Sequence, residues 1–107
     1  MIVRFAVFEG TVHAGNTQNF KNAILERVVP RWKAMPNVQT VSVNFEVSRD
    51  DGAPQFPMIV AISYPDMDAM EDALASVERE QTKFEADKVM ADFFVGTLHH
   101  HIMETHS

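Results

Sequence analysis

Three consecutive histidines near the C-terminus are the residues of this chain best suited to chemistry. They lie in a segment that opens with two phenylalanines and is typical of a β-strand. Side chains alternate between the two faces of a strand, so Phe94, Leu98 and His100 should share one face, while His99 and His101 share the other. Imidazole titrates near neutral pH and can serve as an acid, a base or a ligand. We therefore expect any catalysis to draw on this strand.

His100 is the leading candidate for acid–base chemistry, because it shares its face with apolar residues. A neutral imidazole in an apolar cleft can remove a proton from a carbon acid, or orient a phenol or an enol. His13 in the loop after the first strand and Tyr64 at the end of the third strand are candidate helpers. The catalytic prediction is therefore His100, with His13 and Tyr64. The alternative for His100 is a buried histidine that is hydrogen-bonded to the backbone.

Arg4 interrupts an otherwise apolar strand and needs a partner, since an unpaired buried charge is unfavourable. An ion pair with Glu46 is the interpretation we favour, and an anionic ligand is the alternative. Trp32 has an apolar body and a polar N–H, which suits either a cleft mouth or the core. The predicted substrate-binding residues are Trp32, Arg4, Phe94, Leu98 and His99. His99 is included because a single bulge in the last strand would exchange its face with that of His100.

A metal site is a further possibility for the second histidine face. His99 and His101, two residues apart, could bind an ion if Glu46 or His106 joined them. Nothing in that spacing is diagnostic, so we predict no metal and no cofactor. The absence of cysteine excludes disulfides, thiolate nucleophiles and cysteine zinc sites.

Composition favours one globular domain over residues 1–107, with 46% hydrophobic and 22% charged residues. The net charge of -6, without a Lys/Arg cluster, argues against a nucleic-acid partner. No apolar run is long enough to span a membrane, and the N-terminus does not read as a signal peptide. A cytoplasmic protein without a membrane partner is therefore expected.

Hydrophobic periodicity predicts four strands and three helical stretches. The strands are Ile2–Phe8, Val38–Val47, Met58–Ser63 and Phe93–Ile102. The helices begin at Asn16 or Thr17, at Met67 and at Ser76. Pro30 should end or kink the first helix, and Val77 and Phe84 should face inward on the last. This order, β-α-β-β-α-β, predicts an α+β ferredoxin-like fold, a four-stranded antiparallel sheet with helices on one face. The first and third strands, which are continuously apolar, should be central.

The sheet face away from the helices should contain Phe8, Phe93 and Val95 among polar residues. An exposed apolar sheet face is a typical interface, and an open edge strand is an aggregation hazard. We therefore expect a homodimer formed by packing sheet against sheet.

Two passages resemble a known group of proteins. They are Tyr64-Pro65-Asp66-Met67-Asp68-Ala69-Met70 running into Ala73-Leu74-Ala75-Ser76, and Phe93-Phe94 leading into a last strand with histidine. With the element order, they resemble the dimeric α+β barrel superfamily, and most of all its small EthD-like proteins. That superfamily includes cofactor-free monooxygenases, polyketide cyclases, lactone isomerases and haem-degrading proteins. The resemblance implies a small hydrophobic organic ligand held in an apolar cleft between sheet and helices.

The expected function is a small cofactor-independent enzyme that acts on a hydrophobic carbonyl or aromatic metabolite. Isomerisation, cyclisation and oxygenation all remain open, since a fold does not choose a reaction. The alternative is a non-catalytic binding or accessory protein that uses the same cleft without a titrating group. A metal- or haem-binding protein is the third possibility.

Overall fold

The computed structural model describes residues 1–106, and these residues contain four strands and a set of helices. The strands are β1 (Ile2–Val12), β2 (Thr40–Phe45), β3 (Met58–Tyr64) and β4 (Phe94–Glu104). The helices are α1 (Thr17–Ala23), which continues through a π-helical stretch (Ile24–Val28) into α2 (Val29–Lys33), then α3 (Met67–Leu74) and α4 (Val77–Phe93). The order confirms the predicted β-α-β-β-α-β fold. Within residues 1–106, no helix has the length and apolarity needed to cross a membrane.

The sheet is antiparallel and has the strand order β2-β3-β1-β4, so the two continuously apolar strands are central, as predicted. Ala6 on β1 lies opposite both Val60 on β3 and His100 on β4. The pairing of β1 with β4 runs without interruption from Ile2 opposite Glu104 to the far end of both strands. No bulge interrupts β4, and the alternation of its side chains is therefore preserved.

Two glycines make β1 longer than the sequence predicted. We expected a loop from Glu9, but the strand continues to Val12 because Gly10 faces Gly96 across the ladder. A Cβ built on Gly96 would lie 2.1 Å from the carbonyl oxygen of Glu9 and 2.8 Å from the Cα of Gly10. The glycines therefore permit a close approach of two backbones, where the pattern indicated a turn.

Pro30 does not end the first helix, which was one of the two outcomes predicted for it. The helix continues to Lys33, and the backbone widens to π-helical geometry over Ile24–Val28, just before the proline. A π-bulge is a known way to relieve the missing donor and the ring clash of a proline inside a helix. The continuation carries Trp32 into the core, where it is 9% exposed.

The main core lies between the sheet and the helices, and this placement corrects two assignments. Phe8 was expected on the open face, but it is buried beneath the helices, where its ring meets that of Phe94 edge to face at 6.0 Å. Phe93 is the last residue of α4, and its ring lies 6.4 Å from that of Phe20 in the core.

The inward face of α4 was also predicted wrongly. Val77 and Phe84 are 66% and 67% exposed, whereas Thr82 and Val89 are buried. Capping determines where the helix begins, since the Ser76 hydroxyl accepts a hydrogen bond from the Arg79 N–H. The helix therefore packs inward through Thr82 and Val89, while the larger Phe84 points towards solvent.

Candidate active site

A cavity of about 140 Å³ lies between α4, the end of the first helix and the covered face of the sheet. Its apolar lining combines sheet and helix residues: Ala6, Phe8, Trp32, Met35, Val60, Ile62, Ala86 and Leu98. Its polar lining consists of Arg4, Arg79, Thr82, Lys83, Asp87 and His100. A mostly apolar pocket with a few converging polar groups is the usual form of a small-molecule site.

His100 reaches this cavity from β4, on the helix-covered face where alternation placed it. The imidazole makes no side-chain hydrogen bond within residues 1–106, so the alternative of a backbone-bonded histidine is not what the structure shows. Burial, and then the positive charges of Arg4 and Arg79 and the neighbouring His99, lower the pKa of His100 to about 4. The ring is therefore neutral at pH 7, with a lone pair free to accept a proton.

Arg4 projects from the centre of β1 into the same cavity. The expected ion pair with Glu46 is wrong, because Glu46 instead accepts from the Arg49 guanidinium at 2.6 Å and from the Phe56 N–H at 3.2 Å. Across residues 1–106, no carboxylate lies within ion-pairing distance of Arg4. Burial lowers the pKa of Arg4, the charge of Arg79 lowers it further, and Tyr64 partly offsets both.

Arg79 is a site residue that sequence reasoning missed. It lies in the first turn of α4, and its neighbours in the cavity are Thr82, Lys83 and Ala86 on the same helical face. Lys83 is neutralised by Asp87, with Nζ and Oδ2 2.8 Å apart, so it adds no net charge. The spacing of these residues (i, i+3, i+4, i+7) was the available signal. We missed this signal because the residues on that face of α4 are polar or small, whereas an inward helical face is usually recognised by its large apolar residues.

Tyr64 adjoins the two arginines but does not line the cavity. It is fully buried in the core. Burial raises the pKa of its phenol, while the charges of Arg4 and Arg79 act in the opposite direction. The structure thus places Tyr64 beside the guanidinium groups and not where a ligand would touch it.

Two of the predicted binding residues lie on the helix-covered face of β4. Leu98 lines the cavity beside His100. Phe94 lies further along the strand, packed on Phe8, and borders an adjoining depression that Leu98 shares. Trp32 is buried and forms part of the cavity wall.

His13 and His99 do not join this site. His13 is exposed in the loop after β1, where its N–H donates to the Phe93 carbonyl at 2.8 Å. It lies seven positions beyond Ala6, the partner of His100, which places it roughly 20 Å away at the rise of a strand. His99 is on the open face, where its ring meets that of His101 at 5.1 Å. With no bulge in β4, His99 cannot exchange faces with His100.

The histidine pair on the open face lacks a third ligand among the described residues. Glu46 is engaged by Arg49, and His106 pairs with Glu104. Residues 1–106 hold no group of three His, Asp or Glu side chains close enough to bind an ion.

A second cavity of about 230 Å³ lies at the opposite end of β1, against α1 and the β2–β3 connection. Its charged lining is Lys21, Glu46 and Arg49, and the last two neutralise each other. Its lining contains no histidine. The cavity with His100 is therefore the stronger candidate for chemistry.

Comparison with known proteins gives the fold. No protein-family model matches the chain, and no curated protein matches it. An EthD-family protein from Bacillus halodurans C-125 superposes with a TM-score of 0.77 at 18% identity, over 99% of this chain and 100% of that one. The cofactor-independent oxygenase SnoaB from Streptomyces nogalater gives 0.64 at 18% identity, over 99% and 94%. A dimeric ferredoxin-like protein of unknown function from Thermobifida fusca YX gives 0.64 at 12% identity, over 97% and 90%. These neighbours show that the chain has the ferredoxin-like fold, as predicted.

Proposed function

We propose that this protein is a small cofactor-independent enzyme that acts on a hydrophobic carbonyl or aromatic compound, with His100 as its acid–base group. The observation that carries the proposal is the position of His100, a neutral imidazole at an apolar cavity that also holds two arginines. A fold shared with an EthD-family protein and a cofactor-independent oxygenase supports the class of enzyme. The reaction is proposed from the site, because a fold alone does not choose it.

The chemistry that these residues can perform is removal of a proton next to a carbonyl group or from a phenol. The proton passes from the substrate to the free imidazole nitrogen of His100, and the electron pair moves onto the substrate oxygen as an enolate or phenolate. Arg4 and Arg79 stabilise the charge that develops on this oxygen, since fixed cations in an apolar cavity act strongly. Isomerisation, cyclisation and oxygenation share this first step.

Deuterium exchange tests the proposal without knowledge of the final product. Cyclic diketones, lactones and substituted phenols are incubated with the protein in D₂O, and incorporation is followed by NMR. General base catalysis should accelerate exchange about 100-fold or more for a compound that fits. His100→Gln should abolish the acceleration. His106→Gln, which alters an exposed histidine paired with Glu104, should retain it.

Two results would contradict the proposal. One is exchange by the His100→Gln protein at the rate of the unaltered protein. The other is tight binding of a compound with no exchange in either protein. The second result favours the alternative, a binding or accessory protein.

We also propose that two copies associate through the open sheet face. That face carries the half-buried Phe5 on the central strand, and Val95 and Met103 on β4 are 63% and 52% exposed. Structural neighbours described as dimeric ferredoxin-like proteins support this arrangement. Burying such a face removes apolar surface from water.

Light scattering tests the association, with a mass of twice the 12.1 kDa chain expected for the unaltered protein. Phe5→Lys or Ala61→Glu, on the open face, should give monomers, because a charge would be buried at the interface. Phe84→Lys, on the exposed outer side of α4, should remain dimeric. A monomeric unaltered protein at 100 µM would refute the proposal.

A further inference from the structure

The candidate site holds two positive charges that the protein does not balance. Arg4 reaches it from β1 and Arg79 from α4, and no ion pair of either arginine is found within residues 1–106. The only other charges in the lining, Lys83 and Asp87, cancel each other at 2.8 Å. Apart from the neutral His100, the rest of the lining is apolar or, at Thr82, already satisfied by a hydrogen bond to the Glu78 carbonyl.

This arrangement is unfavourable for the free protein. Both arginines are half-buried, where an unpaired charge is unfavourable, and the mutual repulsion of the two guanidinium groups is one cause of the lowered pKa of Arg4. An anion between the two groups would relieve that repulsion. Guanidinium forks match the geometry of a carboxylate, which accepts two parallel hydrogen bonds from each. The charges of this site thus favour a ligand with an acidic oxygen group.

The size of the cavity limits the rest of the ligand. Its volume of about 140 Å³ is close to the ~150 Å³ of an apolar cavity that accommodates benzene. Val60, Ile62 and Leu98 offer apolar surface for one ring. A polycyclic compound would have to extend out of the cavity past the rim, where His100 stays partly accessible.

We propose that the ligand of this site is a monocarboxylate with an apolar body about one six-membered ring in size, bound by Arg4 and Arg79, and that its charge activates His100. This inference rests on the proposed function and names the class of substrate for the same site. The carboxylate offsets one of the two positive charges that oppose protonation of the imidazole. His100 is then a stronger base towards a substrate that carries the carboxylate than towards an uncharged one.

The proposal predicts that binding takes up a proton. Arg4 and Arg79 both hold down the pKa of His100, which is about 4 in the free protein. An anion that screens them raises this pKa, so that near pH 5 the bound protein carries more protons than the free protein. Calorimetry in buffers of different ionisation enthalpy measures this uptake. His100→Gln should abolish the uptake and retain binding.

The test uses benzoate, phenylacetate and cyclohexanecarboxylate, each beside its uncharged amide. The acids should bind the unaltered protein at least tenfold more tightly than the amides, since a hydrogen bond to a charged group contributes about 1.5–3 kcal/mol, or roughly tenfold or more. Arg4→Gln and Arg79→Gln should each remove most of that preference. Arg31→Gln is the matched control, because Arg31 is exposed on α2 and lies outside the cavity, and it should retain the preference.

The outcomes separate this inference from the proposed function. Equal binding of acids and amides, or no binding of any acid below 10 mM, overturns the monocarboxylate ligand. A preference that survives both arginine substitutions overturns the assignment of Arg4 and Arg79. In either case, loss of deuterium exchange in the His100→Gln protein would still support the enzyme. Arg79→Gln keeps the test decisive if Arg4→Gln does not fold, because Arg79 lies on a helix that is partly exposed.

Discussion

The protonation of His100 is the sharpest quantitative consequence of the site. Its pKa is lowered to about 4 from the 6.5 of a free imidazole, chiefly by burial and then by Arg4 and Arg79. At pH 5.5 these values correspond to about 3% protonation in the protein and about 91% for a free histidine. A thirtyfold difference in the charged fraction is easily measured.

The assay is an NMR titration of the histidine Cε1–H resonances from pH 8 to pH 3.5. The His100 signal is identified by its absence in the His100→Gln protein. In the unaltered protein, this signal should keep its neutral shift down to about pH 5. Arg79→Gln should raise the midpoint, because it removes one positive charge near the ring. The midpoint should stay below 6.5, since burial, the largest cause, remains.

A His100 midpoint at or above pH 6 in the free protein would refute the reasoning. It would mean that the imidazole is fully hydrated, or that the arginines do not face it. If the midpoint is low and Arg79→Gln leaves it unchanged, burial would still explain the lowered pKa, but Arg79 would not contribute to it. Arg31→Gln serves again as the control, because its charge lies outside the cavity.

Three further predictions concern stability and are measured by urea denaturation. Arg4→Met, which keeps the apolar stem and removes an unpaired charge, should raise the free energy of unfolding by about 1 kcal/mol; a loss of stability would mean that Arg4 has a partner. Gly96→Ala should lower the free energy of unfolding by about 3 kcal/mol, because its Cβ would lie 2.1 Å from the Glu9 oxygen. Gly52→Ala should lower it by only about 1–2 kcal/mol, because the space around Gly52 is open and the cost comes from its left-handed φ of 82° alone. Between pH 6.5 and 4, the folded protein binds fewer protons at His100 than the unfolded chain, so the free energy of unfolding should fall as the pH falls through this window. If the His100→Gln protein loses stability equally over the same pH range, His100 is not the cause.

The face assignment of His100 shows what a strand pattern can predict. The period of two is a property of extended backbone, and it held because the β1–β4 pairing has no bulge. The same rule placed His99 on the open face. The central positions of β1 and β3 were predictable for a related reason, since a strand that is buried on both faces is apolar throughout.

Helix α4 shows where such reasoning failed. We expected Val77 and Phe84 to face inward because they are its large apolar residues, yet both are exposed. The helix is positioned by its Ser76 cap and by the space left between sheet and first helix, which accepts Thr82 and Ala86. Because this face of the helix is turned inward, Arg79 lies at the cavity, and its spacing with Thr82 and Ala86 was the signal available in the sequence.

The order of elements, the central strands and the face of His100 were predictable from the sequence, because they follow from local geometry and from the burial of each strand. Which distant residues meet depended on the packing of the elements. It separated Arg4 from Glu46 and placed it beside Arg79, it kept His13 far from His100, and it buried Tyr64 behind the cavity. The physical reason is that spacing along the chain fixes the direction of a side chain within its own element, whereas its neighbours depend on how the elements pack.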